Sequence, residues 1–309
     1  MQSPTPPAIP RTFRQTRGMP QLVTSTAALT TLATAAPLLA WVGDARTRRL
    51  RAQLDATRIT SRPTVVDPAE LEPLPPPVQR YLHQALAPER GVIESVRAQH
   101  QGQFNLSETG ERWLPFTSDQ LVVTSRPGFD WEGRIRLLPG VNIRVHDAYI
   151  AGEGILHAAL FGWLPVVNAR DRAELARGEL LRFLAEAAWY PTALLPSQGV
   201  RWEGLDDRAA RATLVDGNLT ASLDFEFDEA GMIASVTTQA RGRTVAGKII
   251  QTPWQGRFWN YAARSGIQVP LEGEVAWLLP EGPKPYWRGH LVNIAHEFAP
   301  TATTQAATS

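Results

Sequence analysis

The sequence predicts a mainly β fold: one curled antiparallel sheet, a half-barrel or barrel of about ten strands, with a helix packed on or in it and another helix near the N-terminus. Several short segments after residue 92 alternate apolar and polar residues, as strands with one buried face do. Turn sequences such as Pro139-Gly140 separate these segments. One clear helical pattern, over residues 178–190, lies among them. So many consecutive strands in one antiparallel sheet must curl or close.

The N-terminal segment is predicted to lie outside that sheet. Residues 1–20 are rich in Pro, Thr and Arg without periodicity, which predicts a disordered tail. Residues 21–42 carry no charge and are long enough to span a bilayer, so a membrane anchor is the favoured interpretation. A cleaved signal peptide, with Ala33-Thr34-Ala35 as its small-residue site, is a second interpretation. A helix lying on the membrane or on the domain is a third.

Residues 21–57 are thus interpreted as a hydrophobic helix followed by a basic juxtamembrane helix. Arg46, Arg48, Arg49 and Arg51 follow the uncharged run, and positive flanks tend to stay on the cytoplasmic side of a membrane. We expect membrane contact through residues 21–42 and a membrane-associated protein of the cell envelope. A cytoplasmic protein is the alternative.

A proline-rich linker is predicted between the N-terminal segment and the β domain. Residues 58–77 hold six prolines, which favour an extended, semi-rigid polyproline II spacer. The β half-barrel domain is predicted over residues 78–298, beginning with a short helix that aligns Val78 and Leu82 on one face. Residues 299–309 are predicted to be a second disordered tail.

The strands are predicted from alternation with period two. In residues 219–227, Leu, Ala, Leu, Phe and Phe alternate with Thr, Ser, Asp and Glu. The same pattern covers 92–106, 131–137 and 141–149, and weaker patterns cover 119–125, 200–206, 209–215, 232–240, 273–279 and 286–298. In the helix, Leu180, Leu181 and Leu184 form an apolar stripe, and Pro191 disfavours helix at the residue before it.

Charge and composition exclude several classes of site. The net charge of the whole chain is +1, and residues 74–298 hold 22 basic and 25 acidic residues, so the domain lacks the basic footprint of a nucleic-acid binder. The absence of cysteine excludes disulfides, thiolate metal sites and cysteine nucleophiles. The six histidines show no metal-ligand spacing. The sequence therefore predicts no metal, no cofactor and no nucleic-acid partner.

Segments spread along the chain carry a resemblance to a known family. They are LPPPVQRYL from Leu74, WLPFTSDQ from Trp113, RPGFDWEGRIR from Arg126, DAYIAGEG from Asp147, residues 178–196, VRWEGLD from Val200, residues 227–233, Pro253-Trp254 and residues 286–289. Together they resemble a family of bacterial proteins classed only as a domain of unknown function, over about residues 74–298. A curled sheet with an internal helix is also similar to the half-barrel of periplasmic lipoprotein carriers. The family resemblance implies no activity.

Candidate site residues are polar or aromatic residues on apolar faces. Asp147 shares the strand phase of Val145 and Tyr149, and a buried carboxylate needs a partner or a proton. The predicted ligand-binding set is His100, Trp131, Asp147, Tyr149, Arg182, Glu186, Trp189, Tyr190, Trp202 and Arg288. In the alternative interpretation, Arg182 and Glu186 form a helix-face pair, Asp147 is satisfied by an arginine or by backbone, and the aromatic residues belong to the core.

Two functions fit these residues. The favoured one is a binding or carrier protein for a lipid or another apolar small molecule in the sheet cavity, because alternate residues of a curled sheet line its interior. The alternative is a carboxylate-dependent hydrolase or isomerase, with Asp147 or Glu186 as the base and Arg182 or Arg288 as the oxyanion partner.

Overall fold

One antiparallel sheet of thirteen strands forms most of the protein, of which the computed structural model describes residues 44–59, 63–86, 91–107, 110–170 and 173–300. The strand order is β6-β5-β4-β3-β2-β1-β13-β12-β11-β10-β9-β8-β7, with β6 and β7 at the two edges. The sheet curls without closing and is roughly a half-barrel. The strands are β1 (Ile93–Asn105), β2 (Trp113–Val123), β3 (Gly128–Leu138), β4 (Val141–Ile150), β5 (Glu153–Leu160), β6 (Leu164–Arg170), β7 (Val200–Gly204), β8 (Ala209–Asp216), β9 (Leu219–Phe227), β10 (Ile233–Val245), β11 (Lys248–Arg264), β12 (Ile267–Leu279) and β13 (Gly282–Phe298).

The predicted fold class is confirmed, although the sheet has thirteen strands where about ten were expected. The sequence analysis missed β5, β6 and β11. Most residues of β6 are exposed, so this strand has no buried face that would require an apolar residue at every second position. The 17 residues of β11 alternate in burial only around Trp254 and Gly256. Strand β5 buries Ile155, His157 and Ala159 on one face, but its other face is also apolar, so its sequence shows no alternation of apolar and polar residues.

Three helices accompany the sheet in the described residues: α1 over residues 44–55, α2 (Pro76–Ala85) and α3 (Ala173–Ala185). The apolar stripe of α3 faces the core, where Leu180, Leu181 and Leu184 are buried. A 3-10 turn, Glu186–Trp189, follows α3 and ends at Tyr190, whose φ of −143° is not helical. The residue before a proline avoids the helical region, so Pro191 stops the element where the sequence predicts.

The main core lies on the concave face of the sheet. Helix α3 contacts β3, β4 and β5 from one half of the sheet and β9 and β10 from the other. The α3 stripe and the apolar face of α2 join buried residues of both halves in one hydrophobic cluster. The helix thus fills the space that the open sheet leaves between its halves, which confirms a helix packed inside the curl.

Helix α1 packs on the opposite, convex face. Leu50 and Leu54 contact a second cluster that includes Val123, Ala148 and Ile155. Strands β3 and β4 are therefore covered on both sides. This burial was not expected, because Glu132 and the polar residues in phase with it were interpreted as the solvent face of a strand, yet Glu132 is only 5% exposed.

The described part of the proline-rich segment lies against the domain instead of forming an extended spacer. Residues 63–77 contain a 3-10 helix, Pro68–Glu70, and both Leu71 and Leu74 are buried in the main core. The Glu70 carboxylate accepts hydrogen bonds from the backbone N–H and the hydroxyl of Ser197, at 2.9 and 3.1 Å. Proline in this stretch stiffens a docked segment.

The proposed anchor cannot be described in the same way, because residues 21–42 lie outside the described residues, as do the predicted tail 1–20 and residues 301–309 of the predicted tail 299–309. Ala299, at the start of that tail, is buried and donates its N–H to the carbonyl of Val92 at 2.8 Å. Within the part of the chain that the structure describes, no helix is long and apolar enough to cross a membrane.

Candidate functional site

An open cavity of about 360 Å³ lies on the concave face, between the end of α3 and strands of both sheet halves. Its wall is mostly apolar, with aromatic rings from Phe104, Trp131, Trp189, Trp254, Phe258 and Trp287. Leu106, Val166 and Val167 line the cavity and are also exposed, so they mark its mouth. The cavity has the size and composition of a small-ligand site.

The floor of the cavity is built by the chain that leaves α3. Ala185, Glu186 and Trp189 line it there. The Trp189 indole donates a hydrogen bond to the carbonyl of Pro270 at 2.9 Å and packs edge-on against Phe258, with ring centres 5.5 Å apart. These contacts fix the indole, so the floor is a rigid aromatic surface.

Arg182 is the centre of a charge cluster on one wall. Its guanidinium contacts Asp147 Oδ2 at 2.5 Å and Glu186 Oε1 at 2.7 Å. Gln120 donates a second hydrogen bond to Glu186, at 2.6 Å. Burial opposes the Arg182 charge, but Glu186 and Asp147 outweigh it and raise the pKa of Arg182 above its ordinary value. The guanidinium also lies 5.3 Å from the centre of the Trp131 ring, so the cluster supports an aromatic wall.

Glu179 lies one turn before Arg182 on α3 and is 5% exposed. Its Oε2 atom has no hydrogen-bond partner among the described residues. Burial and the negative charge of Asp147 raise the pKa of Glu179 to about 8, which outweighs the attraction of Arg241 and Arg182. At neutral pH this side chain is therefore mainly the uncharged acid.

Arg241, Trp254 and Tyr286 form a polar patch on the other wall of the cavity. The Arg241 guanidinium lies over the Trp254 ring, 4.7 Å from its centre. The Trp254 indole N–H donates a hydrogen bond to the Tyr286 hydroxyl oxygen at 2.9 Å. Unlike Arg182, Arg241 makes no ion pair within 4 Å among the described residues.

Half of the predicted ligand-binding residues meet at the cavity. Trp131, Asp147, Arg182, Glu186 and Trp189 all line it. The spacing of Arg182 and Glu186 and the strand phase of Asp147 were the signals that indicated them. Their pairing also agrees with the alternative interpretation, in which an arginine satisfies Asp147.

His100 and Arg288 lie outside the cavity lining. His100 is buried against Trp189, with ring centres 4.8 Å apart, and burial followed by the charge of Arg182 lowers the pKa of His100 to about 3. Arg288 is half-exposed and pairs with Glu274 at 2.7 Å, with its guanidinium over the Trp113 ring. Arg288 is thus placed by a surface pair and not beside Asp147.

Three predicted aromatic residues also lie away from the cavity lining. The Tyr149 hydroxyl donates to Asp216 at 2.8 Å, near the β8–β9 turn. The Tyr190 hydroxyl donates to the carbonyl of Phe183 at 2.7 Å within the core. The Trp202 indole donates at 2.9 Å to a carbonyl in the 3-10 turn Pro191–Leu194. Tyr190 and Trp202 thus hold the chain that leaves α3, and Tyr149 holds the β8–β9 turn.

Sequence reasoning missed Arg241, Trp254 and Tyr286 as site residues. Trp254 and Tyr286 appeared only within segments that carry the family resemblance. The three positions fall on β10, β11 and β13, and β11 shows no clear alternation over its length. A lone arginine in a strand gives no signal of its side-chain partners. Pairing between distant strands had to be known first.

The carboxylates of the predicted hydrolase or isomerase are held by a cation. Both Asp147 and Glu186 accept hydrogen bonds from Arg182, so one oxygen of each carboxylate is already engaged. No group of three or more potential metal ligands occurs in the described residues. The enzymatic alternative therefore stays a prediction without a supporting contact.

Similarity to known proteins concerns family and fold. A model described as a family of unknown function (DUF6920) matches residues 72–296, as the resemblance over 74–298 predicts. No curated protein sequence matches the chain significantly. The fold is similar to a LolA superfamily protein from Nitrosomonas europaea, with 12% identity, 72% of this chain and 93% of that chain covered, and a TM-score of 0.40. A β-barrel-like protein of the domain of unknown function DUF1849 from Brucella abortus has 10% identity, 67% and 99% coverage, and a TM-score of 0.21.

Proposed function

The chain belongs to DUF6920, a family of unknown function, and we propose that this protein binds and carries an apolar small molecule, such as a lipid or acyl chain, in the concave cavity. The observation that supports this proposal best is that the cavity combines an apolar wall with a mouth that is open to solvent. The wall is rich in aromatic and aliphatic side chains, and the mouth remains open to solvent at Leu106, Val166 and Val167. Covering such a surface with an apolar ligand is favourable by about 25 cal/mol for each Å² buried.

The rigidity of the wall also supports binding. Hydrogen bonds hold the indoles of Trp189 and Trp254, and ion pairs hold Arg182 beneath Trp131. A preformed cavity spares a ligand the free-energy cost of ordering side chains. The exposed apolar residues at the mouth give the ligand an apolar route from solvent to the aromatic floor.

A membrane would be the natural source of such a ligand. This is the part of the proposal that rests on residues 21–42, whose uncharged sequence is long enough to anchor the protein. A cytoplasmic carrier of apolar ligands is the alternative location.

The binding proposal is tested with N-phenyl-1-naphthylamine, an uncharged probe whose fluorescence rises in apolar surroundings. We expect saturable binding at one site, and we expect dodecanol to displace the probe. Ala158→Phe places a ring into the cavity lining and should weaken probe binding at least tenfold, since the added side chain occupies the ligand volume.

Ala262→Phe is the matched control. Ala262 is half-buried on β11 and is not part of the cavity lining, so the same exchange should leave probe binding unchanged. Saturable binding that is equal in both variants would place the probe elsewhere and contradict the proposal. Absence of saturable binding to the wild-type protein would contradict it as well.

A further inference from the structure

We propose that Arg241 and Tyr286 form a head-group subsite in the cavity, so that the ligand is an amphiphile with an apolar chain and one anionic group, a carboxylate or a phosphate. This inference rests on the proposed binding function and narrows its ligand class. It comes from the contrast between two of the three arginines that line the cavity, Arg182 and Arg241, on its two walls.

Arg182 is already neutralised by protein. Asp147 and Glu186 both contact its guanidinium, at 2.5 and 2.7 Å, and these two carboxylates exceed its single charge. A guanidinium in this state has little affinity left for an anion. Arg182 therefore supports the wall and leaves anion binding to another group.

Arg241 lacks such a partner among the described residues. On α3, the charge of Arg241 acts on the buried Glu179, but burial and Asp147 raise the pKa of Glu179 to about 8, so that side chain is mainly uncharged at neutral pH. Glu174, one turn earlier, accepts a hydrogen bond from Gln251 at 2.7 Å. Stacking on the Trp254 face holds the Arg241 guanidinium in place but satisfies none of its five N–H donors.

Tyr286 supplies a second donor beside Arg241. A phenol oxygen has one hydrogen and two acceptor lone pairs, and the Trp254 N–H already uses one of the lone pairs. No acceptor for the Tyr286 O–H occurs in the described residues, so its hydrogen is free to point at a ligand oxygen. Trp254 thus positions both donors, the guanidinium through its face and the hydroxyl through its N–H.

Two further charged residues of the cavity lining, Glu274 and Arg257, lie beside opposite charges. Glu274 lines the cavity but pairs with Arg288, and Arg257 lies directly opposite Glu274 on the neighbouring strand. Arg257 also makes no ion pair within 4 Å among the described residues, but it has the carboxylate of Glu274 opposite it, whereas Arg241 lies opposite Thr252. Arg241 is thus the lining arginine that has no carboxylate within 4 Å and none opposite it on the paired strand. Charge-assisted hydrogen bonds from a guanidinium to a carboxylate or phosphate are strong, and a partly enclosed apolar cavity strengthens them further.

The test compares two ligands that differ only in the head group. Displacement of N-phenyl-1-naphthylamine is measured with oleate and with oleyl alcohol, on the full-length protein. We expect oleate to bind roughly ten- to a hundredfold tighter, the range for a charge-assisted hydrogen bond. Arg241→Gln should bring the two ligands to within about threefold while oleyl alcohol still binds.

Two further variants make the result specific. Tyr286→Phe should reduce the preference for oleate by a smaller factor, because it removes one neutral donor. Arg243→Gln is the matched control: Arg243 lies two residues along β10, over the Trp277 ring and outside the cavity lining, so the preference should persist. If the Arg241→Gln variant has wild-type thermal stability and still prefers oleate over oleyl alcohol, the subsite is refuted. Should Arg241→Gln lose stability, Arg241→Lys, which keeps the charge, and Tyr286→Phe carry the test.

The outcomes separate this inference from the binding proposal. If wild-type protein binds oleate and oleyl alcohol equally, the head-group subsite is refuted and the apolar cavity stands. If neither ligand displaces the probe, the binding proposal itself fails. If acetate or inorganic phosphate displaces the probe at the concentrations where oleate does, the site takes a free anion, and the amphiphile is refuted.

Discussion

The two faces of strands β3 and β4 carry buried charge in opposite ways. On the convex face, Arg51 of α1 contacts Asp119 at 2.6 Å and Asp130 at 3.1 Å, and His146 contacts Asp130 at 2.9 Å. Burial alone would raise the pKa of the nearby Glu132, but hydrogen bonds and charge from Arg144 and Arg134 hold it below its ordinary value.

On the concave face the network is incomplete. Arg182 pairs with two carboxylates, but Glu179 Oε2 and Asp147 Oδ1 have no hydrogen-bond partner among the described residues, and Arg241 makes no ion pair within 4 Å there. The convex ion pairs attach α1 to the sheet, and Arg144 Nε is a buried atom there without a hydrogen-bond partner among the described residues. Unmatched donors and acceptors beside an open apolar cavity leave chemistry for a ligand. The comparison thus separates a structural face from a binding face within the same pair of strands.

The largest expected effect is a loss of stability when the convex network around Asp130 is broken. Asp130→Asn removes the charge that Arg51 and His146 share, and Asp130 is fully buried. Removing one partner of a buried ion pair costs about 3–5 kcal/mol, and Arg51 keeps Asp119 as its second partner. The free energy of unfolding should therefore fall by about 3 kcal/mol, the lower end of that range, in chemical denaturation.

Glu153→Gln is the control for Asp130→Asn. The Glu153–Arg170 pair is half-exposed on both sides, so its loss should cost less than about 1 kcal/mol. A loss below 1 kcal/mol for Asp130→Asn would show that the convex network does not hold α1 in place. Probe binding by the folded Asp130→Asn variant should match the wild type, because Asp130 lies on the convex face and the probe binds on the concave face.

The second expected effect concerns the concave face and is a dependence of stability on pH that arises from Glu179. The pKa of Glu179 is about 8 in the folded protein, against an ordinary 4.5, so between these values the folded state holds a proton that the unfolded state has released. Its contribution to stability is complete below pH 4.5 and declines as pH rises to about 8, at most by about 1.4 kcal/mol per pH unit.

Glu179→Gln should remove this decline, and unfolding free energies between pH 6.5 and 8 provide the measurement. His100 does not interfere there, because its lowered pKa affects stability only below its ordinary value of 6.5. The same slope in wild type and Glu179→Gln would contradict the assignment of a protonated Glu179.

The smallest effect is expected at Arg288, which the sequence placed in the site and the structure places in a surface pair. Arg288→Gln breaks a half-exposed contact with Glu274 and should cost less than about 1 kcal/mol. Probe affinity should change less than twofold, a threshold well under the 1.4 kcal/mol that a tenfold change represents. A tenfold loss would return Arg288 to the binding site.

The sequence predicted the features that depend on residues close together in the chain and missed those that depend on distant residues. Local periodicity found α3 and ten of the thirteen strands, and the phase of Asp147 placed a carboxylate on the core-facing side of its strand, where its side chain is 20% exposed. The same logic failed for Glu132, because period two identifies the polar face of a strand without showing that a helix will cover it. Arg241 and Tyr286 could not be found, since their proximity depends on strands 45 positions apart.

The most direct test of the account is native mass spectrometry of the purified full-length protein mixed with oleate. The account predicts a complex with one oleate per chain for wild type and for Asp130→Asn, and loss of that complex for Ala158→Phe, which fills the concave cavity. No complex with wild type, or equal complex formation by Ala158→Phe, would contradict the claim that the concave face is where this protein binds its ligand.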